Sequence, residues 1–299
     1  PDQHQYTPAR LGLVAQLNRA MEGKELVLHY QPKARFATGT VEGVEALARW
    51  NHPQRGLLFP DEFIPVTEHT SMIRPLTIHL LETALEQAKA WSRDGIELKM
   101  AVNLSAQLLL DMQLPREIGR MLSRVGTDSS KLEVEITESA IMSDPRRARR
   151  VLDGMREMGV RVAIDDFGTG YSSLVSLKQL PVNTIKVDKS FVMNMEADPD
   201  DAAIVRSTVS LGHNLGLEVV AEGVETPAAW EELKAMGADI AQGYYLSKPL
   251  AGEQFGRWLA AYQDMFGRAG EGREAARNGE AGGQSWEVST SSKPPAPAA

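Results

Sequence analysis

The chain's 299 residues, 42% hydrophobic and 24% charged, suffice for one large globular domain or two small ones, with no need of disulfide support. It has no cysteine, which excludes disulfides and thiolate metal sites and leaves carboxylate, amide, imidazole or water to hold any metal. The net charge of −8 without a basic run argues against a groove for polymeric nucleic acid, and no apolar stretch approaches the roughly 20 residues of a membrane helix.

Residues Pro1 to Arg10 lack the charged and apolar regions of a signal peptide, and the chain does not start with Met, so a longer parent protein is expected. The absence of cysteine fits a reducing compartment. A first helix is predicted over Pro8–Glu22, with Leu11, Val14, Leu17 and Met21 on one stripe. Strand patterns then follow at Glu25–Gln31, Val41–Arg49, Lys99–Ser105, Leu132–Thr137, Arg161–Asp166, Thr184–Asp188, Glu218–Gly223 and Ile240–Leu246. Helical patterns lie at His69–Arg93, Ala106–Arg124, Pro145–Met158, Ser172–Lys178, Asp201–Leu215, Pro227–Met236 and Gly252–Phe266. Glycines 95, 126, 159, 216 and 237 stand where helices should end.

This alternation predicts an α/β (β/α)8 barrel over residues 1–266, with a doubly wound open sheet as the competitor. The link around Ala37–Thr40 is too short for a parallel crossover, so the first strand should run antiparallel. The segment 267–299, rich in Gly, Ala, Ser, Glu and Pro, reads as a disordered C-terminal tail.

Polar side chains recur at the ends of these strands: Glu45, Asn103, Glu135, Asp165 with Asp166, Lys186, Glu222 and Gln242. Alternation puts Leu132, Val134 and Ile136 on one face, and Glu133, Glu135 and Thr137 on the other. It likewise opposes Ile185 and Val187 to Lys186. Charges turned into a barrel are costly unless paired or metal-bound, so this set should gather at the C-terminal mouth around cations. The bland alternative is a scatter of rim acids and salt bridges, such as Lys186 with Asp188.

The chain resembles the EAL-type cyclic di-GMP phosphodiesterases. The resemblance is carried by Glu45-Ala46-Leu47 with Arg49 and Trp50, then Leu28-His29-Tyr30-Gln31-Pro32, Val102-Asn103-Leu104-Ser105 and Glu135-Ile136-Thr137-Glu138. It continues through Asp165-Asp166-Phe167-Gly168-Thr169-Gly170, Ile185-Lys186-Val187-Asp188, Glu222-Gly223-Val224-Glu225 and Gln242-Gly243-Tyr244. It implies a modified TIM barrel with one antiparallel strand, and hydrolysis of one phosphodiester of cyclic di-GMP to linear pGpG with two Mg²⁺ or Mn²⁺ ions.

By that resemblance Glu45, Asn103, Glu135 and Asp165 hold one ion, and Asp165, Asp166 and Glu222 the second. Asp188 orients the second metal or its water, Gln242 supports a metal-bound water or the substrate, and Glu138 anchors the glycine loop after Asp166. Lys186 is the candidate general base, or else an ammonium that orients the attacking hydroxide. Arg49 suits a substrate phosphate, while Gln31, Leu47 and Glu225 are weaker candidates for substrate contacts. The resemblance further implies a homodimer and a parent with upstream sensor, GGDEF-type or membrane segments, placing this part in the cytoplasm. The competing function is an inert cyclic di-GMP sensor module.

Overall fold

One sheet runs through the whole molecule and closes on itself. The computed structural model describes residues 8–68, 70–169 and 174–264. The expected tail 267–299 and part of the glycine loop, residues 170–173, lie outside the described residues. A first helix, α1 (Pro8–Glu22), leads into β1 (Leu26–Arg35), β2 (Val41–His52) and the short β3 (Gly56–Leu58). Helices α2 (Pro60–Glu68) and α3 (Ile73–Arg93) follow, then β4 (Lys99–Asn103), α4 (Leu114–Val125) and β5 (Leu132–Thr137). Next come α5 (Glu138–Ser143), α6 (Pro145–Glu157), β6 (Arg161–Phe167), α7 (Leu174–Gln179) and β7 (Thr184–Val187). The order ends with α8 (Lys189–Asn194), α9 (Pro199–Asn214), β8 (Glu218–Ala221), α10 (Pro227–Met236), β9 (Ile240–Gln242), β10 (Leu250–Ala251) and a last helix over residues 252–264.

Around the barrel the strands run β1-β2-β4-β5-β6-β7-β8-β9 and return to β1. β1 is antiparallel to both neighbours, whereas the pairs from β2–β4 round to β8–β9 are parallel. The expected barrel with a reversed first strand is therefore present, and the open sheet is not. β3 and β10 are antiparallel additions outside the ring.

Side-chain alternation divides each strand as expected. Leu132, Val134, Ile136, Ile185 and Val187 belong to the main buried apolar cluster, which also takes in side chains from the surrounding helices. A second cluster joins Leu13 and Leu17 of α1 to Trp50 of β2, Leu58, Phe63 and Leu76. Thus β2 outruns its expected end at Arg49. Its parallel pairing with β4 stops at Ala46, and its remainder continues as a hairpin with β1 and β3 under α1. Glu45 sits at the rim of the barrel although it lies mid-strand.

The helix expected over His69–Arg93 begins only at Ile73, and α2, with Pro65 inside it, precedes it. The helix expected from Ala106 is a 3₁₀ turn at Leu108–Leu110 followed by α4, with Pro115 in its first turn. Two of the three six-residue helices among the described residues, α5 and α8, are not among those expected; α7, of the same length, overlaps the helix expected over Ser172–Lys178. α5 and α8 are each started by a cap: Thr137 accepts from the Ala140 amide and Asp188 from the Ser190 amide. Among the described residues no helix is long and apolar enough to cross a membrane.

Candidate active site

Strand register brings the polar side chains to one level. Gln31 of β1 pairs with Glu45 of β2, and Lys33 pairs with Gln242 of β9. Asn103 of β4 pairs with Glu135 of β5, and Thr137 pairs with Asp165 of β6. Regular alternation would send Asp165 and Asp166 to opposite faces. β6, however, carries one extra residue against β7, since Ile164 pairs with Ile185 but Phe167 with Val187. Asp166 there adopts a left-handed backbone, φ 53°. This bulge re-aims the pair, so that carboxylate oxygens of Asp165, Asp166 and Glu222 lie within 4.8 Å of one another, a grouping able to hold a metal ion.

The Lys186 ammonium stands at the middle of the acids and is 0% exposed. It lies 2.7 Å from Glu222, 2.8 Å from Glu135, 3.0 Å from Asp165 and 3.4 Å from Glu45. Its alternative partner, Asp188, is otherwise engaged and accepts from the Ser190 amide at 3.0 Å and from the Ser190 hydroxyl. Glu45 is bound at both oxygens: Asn103 donates at 2.7 Å and Gln242 at 2.6 Å. Gln242 also donates to Gln31 at 3.1 Å, and Gln31 donates to the Ser247 carbonyl at 3.3 Å. The buried Oε1 of Gln242 has no hydrogen-bond partner among the described residues.

The acids outnumber the bases. Burial alone would raise the Glu45 carboxyl, but Lys186, Lys33, Gln242 and Asn103 together hold it at about 2. Burial and the charge of Glu45 push Glu135 up to about 8, against the two lysines. Burial, with Asp165 and Glu45, likewise lifts Glu222 to about 7 despite Lys186. Asp166 is raised by burial and by Asp165 and Asp188. Burial opposes the charge on Lys186, yet the surrounding acids keep its pKa well above the ordinary lysine value. A site that holds carboxylates with such a taste for protons is short of positive charge, and its oxygen donors suit a hard divalent cation.

The remaining expected residues lie around this centre. Glu138 is buried at the start of α5; one oxygen accepts from the Gly168 amide at 3.4 Å, and the other has no partner among the described residues. Arg49 is buried, donates to the Ala48 carbonyl at 2.7 Å and lies 4.9 Å over the Phe59 ring. No acid among the described residues forms an ion pair with it. Leu47 is partly buried on the same strand, and Glu225 is exposed in the loop after β8.

Deeper in the barrel lie charged groups that the sequence reading did not single out. Lys33 contacts Glu135 and, at 3.5 Å, Glu133. Glu133 also accepts from Thr184 at 3.0 Å and Arg161 at 3.3 Å. Arg161 reaches Glu218 at 3.0 Å, Arg35 reaches Glu218 at 2.7 Å, and Arg35 also pairs with Glu42. The available signal was parity, because Lys33 shares a strand face with Gln31, and Glu133 shares one with Glu135.

The EAL domain family model matches residues 14–249. The chain is 43% identical over 82% of its length to a Pseudomonas aeruginosa protein named bifunctional diguanylate cyclase/cyclic di-GMP phosphodiesterase MucR. It is 36% identical over 88% of its length to the Escherichia coli cyclic di-GMP phosphodiesterase PdeR. It spans only 36% and 40% of the lengths of those two relatives. The solved structure titled PaMucR phosphodiesterase, c-di-GMP complex, superposes with a TM-score of 0.79 at 42% identity, covering 82% of this chain and 99% of that one.

Proposed function

The chain belongs to the EAL domain family, and from that footing we propose that it hydrolyses one phosphodiester bond of cyclic di-GMP to linear 5′-pGpG, lowering a bacterial second messenger. The observation that carries this reading is the excess of carboxylates around Lys186, which fits a site that takes up divalent cations. Two ions, Mg²⁺ or Mn²⁺, would be held by Glu45, Asn103, Glu135 and Asp165, and by Asp165, Asp166 and Glu222. Bound there, such cations neutralise the charge of the diester and make water a better nucleophile.

The protein's own groups supply the rest. Gln242 and Asn103 fix the Glu45 carboxylate, one at each oxygen. Asp188 is tied to the first turn of α8, where it can orient a neighbouring acid or water. Lys186 holds the attacking water, either as an ammonium donor or, if bound cations lower its pKa, as base. Glu138 ties the start of the glycine loop, and so the root of Asp166, to α5. Arg49, free of ion pairs among the described residues, takes a substrate phosphate, with Gln31, Leu47 and Glu225 around the rest of the dinucleotide.

Hydrolysis of cyclic di-GMP, followed as pGpG with Mg²⁺, Mn²⁺ or chelator, tests this. Turnover should require the cation and vanish in Glu45→Ala. Product formed equally well with chelator or in that variant defeats the site, and binding without product defeats the hydrolase reading. The reading extends to a cytoplasmic location, a homodimer and regulatory segments in a longer parent; sedimentation that finds only monomer, with and without ligand, would remove the dimer.

A further inference from the structure

The reversed strand β1 contributes a buried lysine to the floor of the acidic cluster. Lys33 spans two carboxylates one strand period apart on β5, binding Oε1 of Glu135 and lying 3.5 Å from Oε1 of Glu133. Glu133 is itself pinned by Thr184 and Arg161, and Arg161 is tied to Glu218. Lys33 is therefore fixed from below as well as from above. The other oxygen of Glu135, Oε2, belongs to the mouth, where Lys186 touches it at 2.8 Å. A carboxylate with one oxygen clamped in this way has one oxygen to offer a ligand.

We propose that Lys33 is a positioning residue for the cation site: it clamps Oε1 of Glu135 and so presents Oε2 alone to a divalent ion. The inference rests on reading Glu135 as a cation ligand. It goes beyond the residues that carry the family resemblance, because Lys33 lies outside those motifs and reaches the site only through Glu135. Groups that orient a ligating carboxylate from behind act on affinity through geometry. A role as bare positive charge has the opposite sign, since removing a neighbouring ammonium would tighten cation binding.

The test is a Mn²⁺ titration of the 299-residue chain, with free Mn²⁺ read by electron paramagnetic resonance and folding checked by circular dichroism. Lys33→Met should bind Mn²⁺ roughly 10- to 100-fold more weakly than the unaltered chain. Because Lys33→Met takes one of two cationic partners from each of two buried acids, the double variant Lys33→Met/Glu133→Gln provides a better balanced background and should show the same loss. Glu133→Gln alone keeps Lys33 on Glu135 and should lose less Mn²⁺ affinity than either Lys33 variant; an equal or larger loss counts against the clamp. Unchanged or tighter binding in a folded Lys33 variant overturns the inference while Glu135→Gln still loses Mn²⁺. If the unaltered chain takes up no Mn²⁺, or Glu135→Gln keeps its affinity, the reading of the cation site fails, and the role of Lys33 falls with it.

Discussion

Asp166 combines an unfavourable backbone with unfavourable neighbours. Its φ of 53° lies in the left-handed region, which Asp and Asn tolerate better than most side chains, and its charge lies beside Asp165 and Asp188. Asp166→Asn keeps the permitted backbone and removes the repulsion. We expect it to raise stability by about 1 kcal/mol, or roughly 2–4 °C in melting temperature measured in chelator, while cyclic di-GMP turnover falls. A lower melting temperature would mean that the carboxylate is held by attraction instead. The mouth acids were legible in the sequence because each follows an apolar strand and alternation turns it inward. The bulge that aligns Asp165 with Asp166 was not, since a single extra residue leaves no trace in hydrophobic pattern. Lys33 and Glu133 were also missed: parity gives a face, but depth along the barrel axis depends on register between strands far apart in sequence.

At the scale of elements, the loops after β8 and β9 are pressed together without room for a side chain. A Cβ on Gly243 would run into the backbone of Val224, whereas one on Gly256, in the last helix, would meet nothing within 4 Å. Gly243→Ala should therefore destabilise by about 3 kcal/mol through overpacking. Gly256→Ala should stabilise by about 0.5–1 kcal/mol through helix propensity. Urea midpoints of the two variants should shift in opposite directions; a common direction would contradict the packing described for Gly243. Strands and long helices were readable from periods of two and 3.6, and so was the reversal of β1, from the short link that follows it. The six-residue helices α5 and α8 were not, because capping and tertiary contact hold them rather than a repeating apolar stripe.

For the molecule as a whole, the base of the barrel carries a network in which Arg35 joins Glu42 to Glu218. The hydrogen bond from Arg35 lowers the Glu42 pKa below its ordinary 4.5. A depressed acid adds stability above its unfolded pKa and loses it as pH falls through the folded value. Partial exposure limits the effect to at most about 1 kcal/mol. The urea midpoint of Glu42→Gln should thus lie below that of the unaltered chain near neutral pH, with the gap closing as the pH falls through the lowered Glu42 pKa. A gap that widens on acidification would contradict the ion pair.

The reversed strand sets the timetable on which this polypeptide can finish. Leaving the ribosome, the chain can zip β1 to β2 almost at once, because only a tight turn separates them. The other side of β1 must wait for Lys33 to meet Gln242, most of the described residues later. Until then a hydrogen-bonding flank stands open, inviting annealing to other nascent copies. Synthesis halted before Ile240 would leave that flank unsealed for good, so premature termination should yield aggregates rather than a smaller working barrel.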